Sequence, residues 1–271
     1  MKSAVTICLV SEARSGPFVY HKGLAHGCQQ AVELGFDAVE VFPPRAQDVS
    51  ESELRSLLNQ HSLALAAMGT GAGWLLHQWS LSSADSEVRQ QACQFIRDII
   101  DRAGALGAPA IVGSMQGKID PNRSRNEALQ LLADGLSELA DYAERAHGVP
   151  LLFEPLNRYE SNLFNRLEET ADWLTSHQLR NVKILADMFH MNIEEGNMSQ
   201  AIERAGGLIG HVHFADSNRL AIGLGHTDTT PVIASLKSIG YAGYLSAEIF
   251  PKPDSDAAAR QTMQSFKQLV G

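Results

Sequence analysis

The chain has 271 residues, of which 44% are hydrophobic, so it can bury the core of one large domain. Its formal net charge of −9 argues against binding to nucleic acid or to an anionic membrane, since both favour a basic surface. The three cysteines are scattered without a CxxC pair, which indicates neither a disulfide framework nor a thiolate zinc site and favours a cytoplasmic protein. No apolar run has the length of a membrane span, and the N-terminal segment is typical of a first strand rather than a signal peptide.

Short apolar runs alternate with amphipathic segments along the whole chain. The strand-like runs cover 4–10, 37–42, 62–68, 109–113, 149–154, 182–187, 208–214 and 243–248. The helical segments lie near 23–34, 51–60, 84–106, 122–147, 168–177, 199–205, 229–239 and 254–270. Eight β/α units without a dividing linker predict the α/β class and a single (β/α)8 TIM barrel over residues 1–271, with its active site at the C-terminal ends of the strands.

The stretch MGTGAGW (68–74) after the third strand is only superficially like a dinucleotide-binding fingerprint. It lacks the GxGxxG spacing, and no helix is predicted to open at its last glycine, so we interpret it as a flexible active-site loop. Trp74 and His77 are then candidates to cover the site, whereas ordinary packing over the barrel rim is the better interpretation for Trp79.

Four side chains with metal-binding chemistry lie at the ends of the last four strands. They are Glu154, Asp187, His213 and Glu248. An acid or imidazole at the end of an apolar run needs something that offsets its desolvation, and a divalent cation does so. Because the strand ends of a barrel meet at one mouth, the four residues predict a single metal site there. Three carboxylates and one imidazole suit Mn²⁺, Mg²⁺ or Co²⁺ better than a structural zinc ion.

Such a site favours proton transfer next to a carbonyl group. A sugar with adjacent carbonyl and hydroxyl oxygens can chelate the cation, which acidifies the C–H bond between them by stabilising an enediolate. Glu154 and Glu248 would flank that substrate as acid–base groups. Two bases on opposite faces predict an epimerase, whereas proton return at the neighbouring carbon predicts an aldose–ketose isomerase.

Three further polar side chains follow these strand ends. Glu160 is a candidate to orient a hydroxyl group or accept its proton, and His190 is a candidate to bind the carbonyl oxygen. Arg219 is a candidate to hold a terminal hydroxyl, carboxylate or phosphate. On spacing alone, a solvated loop acid, a structural histidine and a surface arginine are the competing interpretations.

The segments FEPLNRYESN, ADMFHMNIEEGN, GHVHFADSNR and SAEIF resemble the motifs of the D-tagatose 3-epimerase family, within the xylose-isomerase-like sugar isomerases and epimerases. The resemblance implies that the four strand-end residues bind one divalent cation, with Mn²⁺ favoured and Mg²⁺, Co²⁺ or Zn²⁺ as alternatives. It implies that Glu154 and Glu248 remove and return the proton, and that Glu160, His190 and Arg219 bind substrate. The expected partner is a small-molecule sugar or sugar acid, and homodimers and homotetramers are common among such barrels.

The chain departs from this family after the fourth and seventh strands. GSMQGK (113–118) stands where ketohexose epimerases tend to present aromatic and apolar residues. Gln116 and Lys118 are therefore expected to form a polar lip over the substrate, in which Lys118 would meet a phosphate or carboxylate. His226, in LGHTDTT, is either a further substrate contact or a residue that caps local turns. Because such loops decide specificity on this fold, the substrate stays open.

Three other functions fit the same sequence less well. A metal-dependent dehydratase or lyase acting on a hydroxy-keto acid would use the same barrel site, and Lys118 would suit its carboxylate. An endonuclease IV-like phosphodiesterase needs several zinc ions and additional His ligands from the early strands, and the third strand ends without one. A non-catalytic sugar-binding protein would keep a buried charged site without using it, which costs stability.

Overall fold

The computed structural model describes residues 1–271 and contains eight parallel strands that close into a barrel. The strands are β1 (Lys2–Cys8), β2 (Ala38–Phe42), β3 (Ala64–Gly69), β4 (Ala110–Val112), β5 (Leu151–Phe153), β6 (Val182–Asp187), β7 (Ile209–His213) and β8 (Tyr244–Ala247). Each strand pairs with its neighbour in chain order, and β8 closes the barrel against β1, with Val5 opposite Ala247. The predicted α/β class and TIM barrel are confirmed.

Ten α-helices connect the strands. They are α1 (Leu24–Leu34), α2 (Glu51–His61), α3 (Ala72–His77), α4 (Ser86–Gly104), α5 (Arg125–His147), α6 (Leu167–Ser176), α7 (Met188–Glu194), α8 (Met198–Ala205), α9 (Thr229–Ser238) and α10 (Ser255–Leu269). Each of the eight predicted helical segments overlaps one of them. None of these helices combines the length and the apolar character that crossing a membrane requires.

The helices begin and end where local chemistry satisfies their free backbone groups. At the start of α5, the Ser124 hydroxyl accepts a hydrogen bond from the Glu127 amide, and the Glu127 carboxylate accepts one from the Ser124 amide. At the end of α1, Gly35 takes a left-handed conformation with φ of 84°. The helices pack their apolar faces on the outside of the strands, and the resulting core cluster contains 73 buried residues.

The prediction of a flexible loop over 68–74 is wrong. β3 continues to Gly69, and α3 begins at Ala72 and ends at His77. Gly73 packs against Met115 and Phe95 so closely that a Cβ there would lie 2.6 Å from the Met115 sulfur. Gly69 and Gly71 likewise lie close to the ring of Phe42, so the glycines of this stretch serve close packing rather than flexibility.

The inside of the barrel is apolar on one side and polar on the other. A small cluster of apolar side chains fills it between β3 and β6, and its members are Ala67, Ile111, Leu152 and Leu185. Glu40 on β2 and His211 on β7 are 5% and 1% exposed, and they lie 2.7 Å apart through Glu40 Oε2 and His211 Nε2. Because these side chains fill the barrel, space for a ligand is found at its C-terminal mouth.

Candidate active site

The four predicted metal ligands converge at the C-terminal end of the barrel. β6 and β7 pair there in a register that sets Asp187 opposite His213. His213 Nδ1 lies 3.2 Å from Asp187 Oδ2, 3.4 Å from Glu154 Oε1 and 3.5 Å from Glu248 Oε2. One ligand atom from each of the four residues lies within 4.8 Å of the other three. The structure therefore brings together at one place the four residues that the sequence predicts to bind a metal ion.

This donor set fits a divalent cation. Three carboxylates share a buried space with one imidazole nitrogen, and hard or borderline cations prefer such a set of oxygen and nitrogen donors. Burial, together with the carboxylates of Glu154 and Asp187, raises the pKa of Glu248 to about 7, although the charges of His213 and Arg219 act to lower it. Crowding of buried carboxylates at one point favours the binding of a cation.

Asp187 divides its two oxygens between the fold and the site. Oδ1 accepts hydrogen bonds from the amides of Phe189 at 2.7 Å and His190 at 3.4 Å, which caps the start of α7. Oδ2 faces His213. Burial acts to raise the pKa of Asp187, but the neighbouring imidazoles of His190 and His213 and the guanidinium group of Arg219 outweigh it and hold that pKa below its ordinary value. Asp187 is therefore an ionised carboxylate in a fixed orientation, which suits a metal ligand.

The segment after β4 supports Glu154 rather than the substrate. Gln116 is fully buried, and its Nε2 donates to the carbonyl oxygens of Glu154 at 2.9 Å and Gly113 at 3.1 Å. A Cβ at position 113 would collide with the Glu154 carboxylate, so the glycine leaves room for that ligand. Gln116 holds the backbone of Glu154 and does not line the central cavity.

Lys118 and His226 also lie outside the cavity. Both are exposed: the Lys118 carbonyl accepts from Ser82 Oγ at 3.5 Å, and the His226 amide donates to Ser217 Oγ at 3.0 Å. The structure thus does not bring Gln116, Lys118 or His226, which the sequence offered as substrate contacts, to the wall of the cavity. The polar atoms of Gln116 are used within the protein, and the side chains of the other two stay in solvent. For His226 the alternative role, in a local turn, agrees with its amide hydrogen bond.

His190 is held in one tautomer by a residue that sequence reasoning missed. The backbone amide of Asn157 donates to His190 Nδ1 at 3.3 Å, and the Asn157 side-chain nitrogen lies 2.8 Å from the same atom. Because a backbone amide can only donate, Nδ1 is an acceptor and the proton of the neutral ring sits on Nε2. Nε2 lies 3.8 Å from Glu154 Oε1 and 3.7 Å from Asp187 Oδ2. The same Asn157 side chain donates to Glu160 at 2.8 Å, so one amide places both groups.

Arg219 joins the predicted substrate residues to the metal ligands. Its guanidinium group contacts the Glu248 carboxylate and lies 3.5 Å from Asp187 Oδ2 and 3.7 Å from Glu160 Oε1. The same group lies over the ring of Phe189, 4.8 Å from its centre. Arg219 is 9% exposed, so it is a buried cation rather than a surface arginine.

The loop that carries Arg219 is organised by Asp216. This carboxylate accepts hydrogen bonds of 2.7–3.0 Å from four backbone amides, those of Ser217, Gly223, Gly225 and Thr227. Although partial burial acts in the opposite direction, these four bonds lower the pKa of Asp216 to about 2. Arg219 itself has φ of 57°, a left-handed conformation that an isolated arginine rarely adopts. The ionised Asp216 thus ties down the loop that presents Arg219.

A cavity of about 360 Å³ opens above the four ligands. Its far wall is apolar and includes Phe18, Phe42, Trp74 and Leu75. The rings of Phe18 and Phe42 stack with centres 4.5 Å apart. Ser114 also lines the cavity, whereas His77 and Trp79 stack on each other at 4.2 Å and are not part of it. Of the proposed covering residues, only Trp74 borders the space for a ligand.

A comparison with protein families matches the chain to the xylose isomerase-like TIM barrel over residues 28–269. The chain belongs to that family. Among relatives of this xylose isomerase-like chain, the D-psicose 3-epimerase of Ruminiclostridium cellulolyticum is 31% identical over 229 residues, 82% of the chain and 76% of the relative. The 3-dehydro-D-guloside 4-epimerase of Escherichia coli strain K12 is 29% identical over 225 residues, 80% of the chain and 83% of the relative.

A solved structure agrees with these relatives. The D-psicose 3-epimerase from Clostridium cellulolyticum H10, solved with D-tagatose, matches the xylose isomerase-like chain with a TM-score of 0.81 at 25% identity. The match covers 100% of the chain and 99% of that structure. The resemblance to the D-tagatose 3-epimerase family is thereby confirmed, and the chain is a member of a group of sugar epimerases and isomerases. The chain itself carries a buried cluster of residues that could hold a metal ion.

Sequence reasoning missed several residues of the site. Glu40 lies in the floor of the cavity, and the available signal was a carboxylate inside the apolar run AVEVF. Asn157 was visible only as part of the motif FEPLNRYESN. Phe18 and Phe42 carried no signal, because an apolar residue that lines a cavity looks the same in a sequence as one that fills a core.

Proposed function

We propose that the protein is a divalent-metal-dependent epimerase of a neutral keto sugar. The observation that supports this most directly is the arrangement of Glu154 and Glu248. They follow β5 and β8, and both carboxylates face His213 Nδ1, at 3.4 Å and 3.5 Å. Asp187 and His213 come from the two strands between them. Two carboxylates on either side of one cation centre suit the removal of a proton from one face of a carbon and its return to the other.

The reaction divides among these residues as follows. When bound, a divalent cation supplies Lewis acidity that acidifies the C–H bond next to a carbonyl group and stabilises the charge on the substrate oxygens. One of the two glutamates accepts the proton, and the other donates a proton to the opposite face, so the carbon inverts with no atom gained or lost. Burial places the pKa of Glu248 at about 7, where a carboxyl group both holds and releases a proton at neutral pH.

His190, Glu160 and Arg219 are proposed to bind the substrate. The Nε2–H of His190 borders the cavity and is a donor for a carbonyl or hydroxyl oxygen. Glu160 also borders the cavity and suits a hydroxyl group, which can donate to its free oxygen. Arg219 holds Glu248 in place by direct contact, and the other N–H groups of its guanidinium can donate to a substrate hydroxyl.

The charge of the cavity favours a neutral substrate. Five acidic side chains border it, and they are Glu12, Glu40, Glu154, Glu160 and Glu248. Arg219 is the one lysine or arginine among the lining residues, and its charge is matched by Glu248, Asp187 and Glu160. A phosphate or carboxylate at the far end would meet Phe18, Phe42 and Trp74 without a counter-charge, which is costly. We therefore favour a keto sugar over a sugar phosphate or a sugar acid.

The same charge distribution disfavours the alternative functions. A lyase acting on a hydroxy-keto acid would rely on a cation at the lip, and Lys118 lies outside the cavity. A phosphodiesterase that acts on DNA needs basic side chains along its mouth, and the chain carries a net charge of −9. Neither alternative has an observation in its favour.

The decisive experiment follows deuterium incorporation next to the carbonyl group of ketopentoses and ketohexoses, in D₂O with Mn²⁺. We expect the native protein to exchange that proton and to form the epimer, and EDTA to stop both processes. Glu154→Gln and Glu248→Gln should each lower the rate by about 10²–10⁴, the usual contribution of an acid–base group. Glu168→Gln is the matched control, because Glu168 is ion-paired with Arg204 on the outer face of the barrel.

Two results would contradict the proposal. Undiminished exchange in both active-site variants, with the native fold retained, would exclude the two glutamates as the proton-transfer groups. A product lighter by one water or one CO₂ would show a lyase, because epimerisation leaves the mass unchanged.

A further inference from the structure

A buried pair of polar side chains lies directly behind the predicted metal ligand His213. Glu40 Oε1 is 3.2 Å from His213 Nε2, and Glu40 Oε2 is 2.7 Å from His211 Nε2. His211 and His213 alternate along β7 with one residue between them, so both side chains enter the barrel. Glu40 comes from β2, across the barrel interior, so this contact joins two distant strands.

The contact determines which nitrogen of His213 is free to bind a cation. Nε2 faces Glu40, and Nδ1 faces the oxygens of Asp187, Glu154 and Glu248. Both ring nitrogens of His213 face carboxylates, but a cation among Asp187, Glu154 and Glu248 would take the lone pair of Nδ1, so the remaining ring proton would stay on Nε2, where Glu40 accepts it. Metal-binding histidines commonly donate their other N–H to a carboxylate, which fixes the ring and strengthens the ligand.

Glu40, His211 and His213 are also close enough to suggest a second cation site, but their spacing does not fit one. Ligand atoms about 2.0–2.2 Å from a tetrahedral cation are roughly 3.4 Å from each other. Glu40 Oε2 and His211 Nε2 are 2.7 Å apart, which is the length of a hydrogen bond. The pair is therefore joined by a proton, and its role lies in what it does to His213.

We propose that Glu40 and His211 are positioning residues that hold His213 with Nδ1 directed at the cation. Glu40 fixes the tautomer and the angle of His213, and His211 occupies the second oxygen of Glu40 so that the carboxylate does not rotate. The inference rests on the proposed cation site, and it makes cation affinity depend on two residues that do not touch the cation.

The test measures the binding of Mn²⁺ alone to the EDTA-treated full chain, by the EPR signal of free Mn²⁺. Glu40→Gln should weaken binding by about 10–100-fold, the usual effect of removing a partner behind a metal ligand. Glu40→Asp keeps a carboxylate and should recover part of that loss. Thr262→Val is the matched control: Thr262 is a buried polar residue whose hydroxyl donates to the Ala258 carbonyl within α10, on the outside of the barrel.

A second measurement separates positioning from folding. In ¹⁵N NMR spectra of the Zn²⁺-loaded native protein, His213 should show a metal-bound Nδ1 and a protonated Nε2, and Glu40→Gln should alter this pattern. His211→Gln leaves the bond between Glu40 and His213 in place and should weaken Mn²⁺ binding by less than about tenfold. It provides the test if Glu40→Gln does not fold.

The outcomes distinguish this inference from the proposed function. If the native protein does not bind Mn²⁺, the cation site itself is wrong. If the native protein binds Mn²⁺ but Glu40→Gln binds it within twofold of the native affinity, or if Thr262→Val weakens binding equally, the positioning role is wrong while the cation site stands.

Discussion

At the scale of the residue, Arg219 is the side chain that joins the proposed proton-transfer group Glu248 to the proposed substrate contact Glu160. It contacts Glu248, lies 3.5 Å from Asp187 and 3.7 Å from Glu160, and is almost fully buried. Burial acts to raise the pKa of Glu248 and so favours its protonated carboxyl group. The guanidinium charge opposes that effect, so Arg219 sets how readily Glu248 gives up its proton.

Replacing Arg219 with glutamine should therefore move a pH dependence. Without the guanidinium charge the pKa of Glu248 rises, by about 1–3 units for the loss of a close opposite charge. Mn²⁺ competes with that proton, so the pH at which its binding begins to weaken should move upward in Arg219→Gln. The dissociation constant of Mn²⁺, measured from pH 5.5 to 9.5, shows directly the pH at which binding begins to weaken.

Arg158→Gln is the matched control for this change. Arg158 is an exposed arginine that pairs with Glu194, and it does not border the cavity. Its replacement should leave the pH dependence of Mn²⁺ binding where the native protein has it. An Arg219→Gln protein whose binding weakens at the native pH would mean that Glu248 does not respond to this charge.

At the scale of the element, each strand end places a ligand because the segment that follows it is braced. After β4, Gly113 and Gln116 support Glu154 from the neighbouring strand. After β6, the start of α7 fixes Asp187 through its cap. After β7, Asp216 ties the loop that carries Arg219. The geometry of the site therefore depends on segments that contribute no ligand of their own.

Gly113→Ala tests this bracing. The added Cβ would collide with the Glu154 carboxylate, so Glu154 must move and the cation should lose one of its ligands from the proper position. We expect Mn²⁺ binding to weaken by about tenfold, as for other changes next to a metal ligand, with the barrel intact by circular dichroism. Gly207→Ala is the control, because nothing lies within 4 Å of a Cβ at that position. Equal Mn²⁺ affinity in both variants would show that Glu154 has room to adjust.

The strands and their ligands were predictable because both follow simple rules. A buried parallel strand appears in the sequence as a short apolar run. A carboxylate at the end of such a run, as at Glu154 and Asp187, is costly to bury, and a bound cation is one of the few things that offset this cost. The loops were not predictable in the same way. Gln116 and Lys118 are polar residues separated by one glycine. Only the fold determines that Gln116 is fully buried and Lys118 exposed. α3 was missed because its one glycine, Gly73, serves packing against Met115, a contact that local sequence does not reveal.

At the scale of the whole molecule, the mouth of a well-packed barrel crowds three carboxylates around one imidazole. Glu248 has a pKa raised to about 7, and although burial opposes it, Glu248 and Glu40 raise the pKa of His213 well above its ordinary value. Both groups bind protons more tightly in the folded protein than in the unfolded chain. Their contribution to the stability of the metal-free protein is complete below their ordinary pKa values and is lost as the pH rises through the folded values.

The metal-free protein should consequently become less stable between about pH 5 and pH 8, while Mn²⁺ should stabilise it most at the upper end of that range. Mn²⁺ replaces protons on Glu248 and His213, so its stabilisation grows as those protons leave. With Mn²⁺ at about 100 times its dissociation constant at pH 8, the gain is about 2.7 kcal/mol. We expect that gain to appear as a rise in melting temperature of several degrees, relative to EDTA, and to shrink at pH 6.

Glu248→Gln is the control that assigns the effect, because glutamine neither binds the proton nor offers the cation a charge. Its melting temperature in EDTA should depend less on pH than that of the native protein, and Mn²⁺ should raise it little at either pH. Differential scanning calorimetry at pH 6 and pH 8 measures all four conditions. If Mn²⁺ raised the melting temperature of the native protein equally at pH 6 and pH 8, its binding would release no proton from Glu248 or His213. That result would contradict our inference, because carboxylates that are buried and crowded at the mouth of the barrel should hold protons until a cation replaces them.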